Sequence, residues 1–297
     1  PLLAWGRISG SLRWREMPVV IGVGLIVFVG GWPWLWDHTA QRLHEYLLDK
    51  SVRWVVPTFY LGETWDKAYP PWHYPLVMAA VTMPPAVLVW ALGGFGTLLR
   101  RRPDAAKWLG LNLAFTLGLA CLPGVPRYDG VRLFLAAFPF VAIAAGLGLD
   151  LMLRALAERT RLGKAGALLA VAALLAPTAL RMRALDPCLL SYYSPAVGGL
   201  RGAERLGFET TFWGDAITPE LLAEIPESAT VSFVPLGGDY AASLGLPWAP
   251  PERADVLVIL GRKGMLEKGL RRRFEGEPGW METSREGVPL VRIYRGR

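Results

Sequence analysis

The sequence predicts a mainly α-helical membrane protein: a multi-pass bundle of transmembrane helices followed by a small α/β domain outside the membrane. Five apolar stretches occupy roughly the first three fifths of the chain, and each approaches or exceeds the ~18 to 20 residues that a helix needs to cross a bilayer. The composition agrees, because 53% of the 297 residues are hydrophobic, 19% are charged and the mean hydropathy is +0.31. Water-soluble enzymes of this length rarely have such a composition.

The predicted spans define two regions. Residues 1–182 form the transmembrane region, in which 37–73 is a long outer loop, and residues 183–297 form the α/β domain. The outer loop opens with an amphipathic pattern over 37–50, which predicts a helix lying at the membrane surface. The five spans are 18–36, 74–98, 107–125, 131–153 and 166–182.

Lys and Arg residues indicate the orientation, because short cytoplasmic loops of membrane proteins collect them. Residues 1–182 hold 18 Lys and Arg against 10 Asp and Glu, whereas residues 183–297 hold 14 against 15. The cations cluster before the first span, between the second and third, and between the fourth and fifth. We therefore expect these segments in the cytoplasm, and the outer loop, the turn 124–130 and the α/β domain on the extracytoplasmic side.

The C-terminal domain shows alternating strand and helix signals. Thr218 followed by Pro219 predicts a helix start, because threonine caps a helix and proline suits its first turn. An amphipathic helix is expected over 264–274, with the run Arg271, Arg272 and Arg273 on its solvated face. The predicted strands are 230–234, 255–260 and 290–294, of which the second is apolar throughout and therefore expected at the centre of the sheet.

Motifs for metals, nucleotides and nucleic acids are weak. Residues 44–48 begin like a zinc-protease helix, but Leu48 stands where the second histidine is required. Cys121 and Cys188 have no metal-ligand spacing. The sequence therefore indicates no cofactor and no metal site, with a divalent cation allowed but not indicated. No basic, aromatic-rich soluble block exists, so nucleic acid is not an expected partner.

Aromatic and polar residues of the outer loop are candidates for a cleft at the membrane surface. Trp72, His73 and Tyr74 stand between prolines at the start of the second span. A ring face there can stack on a sugar, and an imidazole can bond a hydroxyl. The alternative is an aromatic belt, since Trp and Tyr favour the headgroup layer.

The turn between the third and fourth spans carries charges at the depth of the headgroups. A charge at the bilayer centre would cost about 2.5 to 3.5 kcal/mol, so Arg127, Asp129 and Arg132 must lie at the outer edge. An arginine there suits a lipid phosphate, because the planar guanidinium bonds two oxygens and stays charged. The alternative is headgroup snorkelling with an ion pair between Arg127 and Asp129.

Together these residues resemble the C-terminal half of bacterial glycosyltransferase family 39 proteins, in the multi-pass GT-C superfamily. Protein O-mannosyltransferases and the aminoarabinose transferase of lipid A belong to the same superfamily. The resembling segments are Tyr60-Leu61-Gly62, residues 71–75 with Pro84-Pro85, Arg127-Tyr128-Asp129 leading to Phe138-Pro139, Tyr192-Tyr193, Gly198-Gly199, and Gly207-Phe208-Glu209 through Trp213. The resemblance covers most of the chain.

The resemblance implies transfer of a hexosyl or pentosyl group from a polyprenyl-phosphate donor to a glycan, lipid or protein acceptor. The reaction would take place at the extracytoplasmic face of a bacterial inner membrane. Donor-phosphate binding would fall to Arg127, Tyr128 and Arg132. The sugar and acceptor cleft would be lined by Tyr60, Trp72, His73, Tyr74 and Asp129.

The catalytic acid of the family lies in its first outer loop, so we expect that residue upstream of this segment. Glu63 and Asp66 are the weaker candidates within the chain, and solvated loop residues are the alternative for both. Two other classes of protein stay open: a polytopic transporter or lipid flippase, and a non-catalytic membrane scaffold. Transporters typically contain broken or charged helices near mid-membrane.

Overall fold

The computed structural model describes residues 16–48, 56–66, 69–159 and 163–296. The protein is mainly helical and carries two small sheets, so the coarse fold prediction is confirmed. The predicted cationic segment before the first span lies outside the described residues, as does part of the turn between the fourth and fifth spans.

The N-terminal two thirds of the described chain is mainly helical and contains one short hairpin. Its helices are α1 (Met17–Gly30), α2 (Thr39–Leu48), α3 (Tyr74–Thr82), α4 (Pro85–Arg101), α5 (Pro103–Cys121), α6 (Phe138–Arg159) and α7 (Gly163–Leu185). A 3₁₀ segment, Arg132–Ala137, leads directly into α6. Helix α2 confirms the helix that the amphipathic pattern over 37–50 predicted.

Two helical segments of the described chain are long and apolar enough to cross a membrane. They are Arg132–Glu158 and Ala165–Leu185, and they agree with the fourth and fifth predicted spans. Only 6% of the most apolar window in the second segment is buried inside the protein. Its hydrophobic side chains therefore face outward, where lipid can cover them, which supports a membrane location.

The second predicted span is broken. Helices α3 and α4 meet at an angle of 114°, so they form either a broken span or a re-entrant loop. The break follows from Pro84, because a residue that precedes proline avoids the helical conformation. Met83 accordingly has an extended backbone, with φ −95° and ψ 145°. The sequence prediction of one continuous helix over 74–98 is therefore wrong.

The first and third predicted spans are not confirmed. Helix α1 has 14 residues, about 21 Å of helix, which is shorter than the hydrocarbon core. Helix α5 has 19 residues but carries Asp104, Lys107 and Asn112, which reduce its apolar character. The described residues thus support two crossing helices, or three if α3 and α4 form one bent span, rather than five.

Helices α4 and α6 cross in close contact through two glycines. A Cβ atom at Gly94 would lie 1.9 Å from the Ala144 carbonyl oxygen, and one at Gly148 would lie 1.9 Å from the Trp90 carbonyl oxygen. Small residues at such crossings let two backbones approach closely, which is common between membrane helices. The Trp90 indole also reaches Met152 Sδ at 3.3 Å.

The C-terminal part is an α/β unit built on a four-stranded sheet. The strands are β3 (Val231–Val234), β4 (Val256–Leu260), β5 (Met281–Arg285) and β6 (Val288–Arg295), in the order β3-β4-β6-β5. Strands β3 and β4 are parallel, and the other two pairings are antiparallel. The helices around the sheet are α8 (Gly199–Arg205), α9 (Pro219–Ala223), α10 (Gly238–Ser243) and α11 (Lys268–Gly276).

Strand β4 occupies the central position that its apolar sequence predicts. All five of its residues are buried. Val258 faces the large core that includes α3, whereas Ile259 faces Phe274 of α11. The predicted helix start is also confirmed, since the Thr218 hydroxyl accepts a hydrogen bond from the Leu221 amide at the beginning of α9.

The arginine run of α11 is less solvated than predicted. The Arg271 guanidinium lies 4.5 Å from the centre of the Phe59 ring, and the Arg273 guanidinium lies 4.6 Å from that of Tyr294. These stacked arginines shield aromatic surface while their charges stay near water. Arg272 is the member of the run that is exposed.

Candidate functional site

The outer loop, the turn 124–130 and the C-terminal unit meet at one end of the helices. The loop contributes a hairpin of β1 (Thr58–Tyr60) and β2 (Glu63–Trp65), which the sequence analysis did not predict. Its tip docks on the C-terminal unit, where the Gly62 amide donates to the Gly207 carbonyl at 3.0 Å. Gly207 has a φ of +77° and no room for a Cβ, so glycine is required there. The segments expected outside the membrane thus lie on the same side.

Arg127 joins the outer loop to the end of α5 from within the protein. Its side chain is only 5% exposed. The guanidinium donates to the carbonyl oxygens of Pro70 at 3.0 Å, Ala120 at 2.9 Å and Leu122 at 3.1 Å. Buried guanidinium donors require such partners. The predicted phosphate ligand Arg127 is therefore occupied by backbone acceptors, and a structural role suits its geometry better.

Asp129 is the centre of a charged cluster that the tertiary structure assembles. Its carboxylate accepts hydrogen bonds from Arg132 at 3.1 Å, from the Trp213 indole at 3.3 Å and from Arg262. The side chains of Asp129 and Arg262 are 6% and 9% exposed. The ion pair between Arg127 and Asp129, which the sequence left open as an alternative, does not form, because Arg132 and Arg262 occupy the carboxylate. A left-handed backbone at Asp129, φ 57°, turns the side chain toward these donors.

Arg132 is the cation of this cluster that remains accessible. Its side chain is 54% exposed, although one nitrogen bonds Asp129. The guanidinium carbon lies 4.7 Å from the centre of the exposed Trp213 ring. Stacking on the indole orients a planar guanidinium and leaves its outer edge free to bond an anion. We call Asp129, Arg132, Trp213 and Arg262 the turn cluster.

The aromatic residues of the outer loop form a connected second group. Tyr60 and Tyr74 are buried with their rings 4.9 Å apart, and the Tyr60 hydroxyl hydrogen-bonds His73 Nδ1 at 2.9 Å. Burial raises the pKa of Tyr60 to about 12, so this hydroxyl keeps its proton at neutral pH. The Tyr74 hydroxyl accepts from the Gly130 amide at 3.1 Å, which joins this group to the turn cluster.

Only part of this aromatic group is accessible to a ligand. Trp72 is 63% exposed, and its ring meets His73 edge-on at 5.7 Å. His73 is half-buried and uses Nδ1 for Tyr60, which leaves Nε2 for a ligand. Tyr60 and Tyr74 are too buried to bind one directly. They position the accessible pair that we call the rim, Trp72 and His73.

The remaining predicted residues lie apart from these interactions. Tyr128 is half-buried and forms no side-chain hydrogen bond with another described residue. Glu63 and Asp66 are exposed on and after β2, and neither makes an ion pair within the described ranges. Their exposure agrees with the alternative of solvated loop residues.

Glu209 is a buried carboxylate that joins the outer loop to the C-terminal unit. It accepts hydrogen bonds from the amides of Phe59 at 3.3 Å and Gly264 at 3.2 Å. Burial raises its pKa to about 7, although Arg262 and these amides act in the opposite direction. The Tyr193 hydroxyl donates to the Glu209 backbone carbonyl at 2.6 Å.

Sequence reasoning did not identify Arg262, and it named Glu209 and Trp213 only within a resembling segment, without a role for either residue. Arg262 lies 133 positions after Asp129 in the chain, so no local spacing connects them. One usable signal existed, because the charged pair Arg262 and Lys263 follows the carboxyl end of the buried strand β4. Ligand sites of α/β sheets often lie at such ends.

Among the residues that the structure describes, no group of three or more His, Cys, Asp or Glu side chains could hold a metal ion. Searches against family models, curated proteins and solved structures found no match to this chain.

Proposed function

We propose that this chain is part of a multi-pass membrane glycosyltransferase that transfers a sugar from a polyprenyl-phosphate donor at the end of the helices where the C-terminal unit lies. The observation that carries the proposal is the exposed Arg132 guanidinium, oriented by Asp129 and Trp213 at the start of a membrane-crossing helix. A lipid phosphate is the anion that occurs at this depth, where a membrane helix meets the headgroup layer.

The charge of the turn cluster suits a phosphate. Asp129 is already shared between two arginines, so the cluster retains a net positive charge. Transfer from a polyprenyl-phosphate sugar leaves negative charge on the departing phosphate. A pre-oriented guanidinium stabilises that charge as it develops, which lowers the barrier to the chemical step.

The rim supports binding of the sugar or the acceptor. An exposed indole at Trp72 offers an apolar face for the ring of a sugar, and His73 Nε2 offers a hydrogen bond to a hydroxyl. Both residues connect to the turn cluster through Tyr60, Tyr74 and Gly130. The two groups are therefore linked by a continuous series of contacts.

Donor binding tests the proposal directly. The purified full chain is titrated in detergent with a short-chain polyprenyl phosphate and with the matching polyprenol. We expect the phosphate to bind about tenfold more tightly, because a hydrogen bond from arginine to a charged phosphate contributes roughly 1.5 kcal/mol or more. Arg132→Ala should remove this preference, and Arg132→Lys should retain part of it.

Arg253→Ala is the matched control for charge. Arg253 is exposed and lies before β4, at the opposite end of that strand from Arg262. This variant should bind polyprenyl phosphate like the unaltered protein. Equal binding of phosphate and polyprenol, or an Arg132→Ala variant with undiminished preference, would contradict the proposed function.

A transporter is the second candidate, because α3 and α4 form a broken helix pair. A cavity of about 400 Å³ lies at the break, between Thr82–Val87 and the start of α6. Transporters use such breaks to present backbone dipoles to a substrate. The side chains that line this cavity are almost entirely apolar, however, and none is ionisable. An apolar solute or lipid chain would suit it better than an ion.

A further inference from the structure

A second cavity lies at the other end of the helices, remote from the turn cluster. It opens between α4 and α6, near the residue where α4 ends, and has a volume of about 310 Å³. The 19-residue helix α5 starts beside it and runs toward the turn 124–130, a separation of about 28 Å. The cavity is therefore independent of the proposed glycosyltransferase site.

The walls of this cavity combine apolar side chains with two arginines. Leu98, Leu147 and Leu151 form the apolar part of the lining, and Arg101 and Arg102 form its charged part. This is the pattern expected where a membrane helix leaves the hydrocarbon core and reaches the headgroups. A ligand that fits both parts must itself be amphipathic.

The two arginines are available for an anion. Both are exposed, and neither side chain forms a hydrogen bond or an ion pair with another described residue. The carboxylate in the cavity lining, Asp150, is bound to Arg154 at 2.9 Å. The cavity therefore has a net positive charge even when Asp150 is ionised.

We propose that this cavity binds an anionic phospholipid, with its phosphate on Arg101 and Arg102 and its first methylene groups along Leu98, Leu147 and Leu151. Guanidinium groups bind phosphate through paired hydrogen bonds. Basic pockets between membrane helices bind anionic headgroups for the same reason. The bound lipid would bridge α4 and α6 beside their contact at Gly94, which also lines the cavity.

Native mass spectrometry of the full chain tests this site. The protein is purified in detergent and titrated with phosphatidylglycerol or with phosphatidylcholine of the same acyl chains. We expect one phosphatidylglycerol to remain bound where phosphatidylcholine does not. The double variant Arg101→Ala/Arg102→Ala should weaken that binding about tenfold or more, because it removes both cations that face the headgroup.

The double variant Arg100→Ala/Lys107→Ala is the matched control. It removes the same charge from the same end of the helices, but neither residue lines the cavity. It should retain phosphatidylglycerol as the unaltered protein does, and circular dichroism should show the same helix content in both double variants.

Three results would overturn the proposal. Equal weakening by the two double variants would indicate diffuse electrostatic attraction rather than a site. Equal retention of phosphatidylcholine would remove the role of the anionic headgroup. Displacement of the lipid by millimolar inorganic phosphate would indicate a free-anion site that does not use the apolar walls.

Discussion

At the scale of single residues, burial separates the arginines of the turn by role. Arg127 and Arg132 looked equivalent in sequence, since both flank Asp129 in one short connection. In the structure Arg127 is enclosed by three carbonyl oxygens, whereas Arg132 keeps more than half of its side chain exposed. A guanidinium whose donors are satisfied and which no ligand can reach stabilises the fold. An oriented, accessible one can bind a ligand.

Glu209 illustrates a different consequence of burial. Its ordinary pKa of 4.5 rises to about 7 because the low-dielectric interior disfavours the charge. The folded protein therefore binds a proton that the unfolded chain releases between these two values. Its contribution to stability is largest below pH 4.5 and is lost as the pH rises to about 7.

We predict that Glu209→Gln flattens this dependence on pH. Glutamine keeps an oxygen for the amides of Phe59 and Gly264 but carries no charge. Thermal unfolding in detergent should give similar midpoints for both proteins near pH 4.5 and a higher midpoint for the variant at pH 8. A shift from 4.5 to about 7 corresponds to on the order of 3 kcal/mol. If the stability of the two proteins changed with pH in the same way, Glu209 would not be the source of the pH dependence.

At the scale of secondary-structure elements, the crossing of α4 and α6 depends on glycine at two positions. Gly94 and Gly148 face the backbone of the opposite helix, whereas Gly93 and Gly146 on the same helices have open space around them. The sequence pattern does not distinguish these glycines. The direction in which an added Cβ atom would point decides which of these glycines can be replaced by a residue with a side chain.

A pair of alanine substitutions in α6 tests this crossing. Gly148→Ala places a methyl group against the Trp90 backbone and should destabilise the protein by about 1–3 kcal/mol. Gly146→Ala meets no atom within 4 Å and should be neutral or slightly stabilising, because alanine favours a helix. The midpoints of thermal unfolding in detergent report the stability of both variants. A Gly148→Ala protein as stable as Gly146→Ala would show that the helices cross elsewhere.

At the scale of the whole molecule, the polar segments divide between two ends of the helices. The outer loop, the turn cluster and the C-terminal unit share one end, and Arg100, Arg101, Arg102 and Arg154 lie at the other. Short cationic turns favour the cytoplasm. We therefore predict that the C-terminal unit of the proposed glycosyltransferase lies on the extracytoplasmic side.

Thiol labelling in intact cells tests that orientation. In a Cys121→Ser background, Ser243→Cys places an exposed thiol on the C-terminal unit, while Cys188 stays fully buried. We expect this thiol to react with a membrane-impermeant maleimide before lysis. Glu158→Cys, at the opposite end, should react only after permeabilisation. The reverse labelling pattern would place the C-terminal unit in the cytoplasm.

The sequence alone determined the features that depend on local pattern. Apolar length predicted 131–153 and 166–182, the two segments whose helices are long and apolar enough to cross a membrane. An uninterrupted apolar run predicted the central strand β4, because burial on both faces requires such a run. Local pattern also placed α2 and the start of α9 correctly. The break at Pro84 could also have been predicted, since the restriction on the residue before proline is local as well.

Only the tertiary structure decided which of the charged and aromatic residues meet. Asp129 accepts hydrogen bonds from Arg262 and Trp213, which lie 133 and 84 positions away in the chain. Glu209 accepts one from Phe59, which lies 150 positions away. It also showed that the hairpin β1–β2 belongs with the C-terminal unit. These contacts arise because one core joins α3 to the sheet, and the depth of each residue in that core sets whether its charge is enclosed or accessible. Spacing along the chain carries no information about that depth.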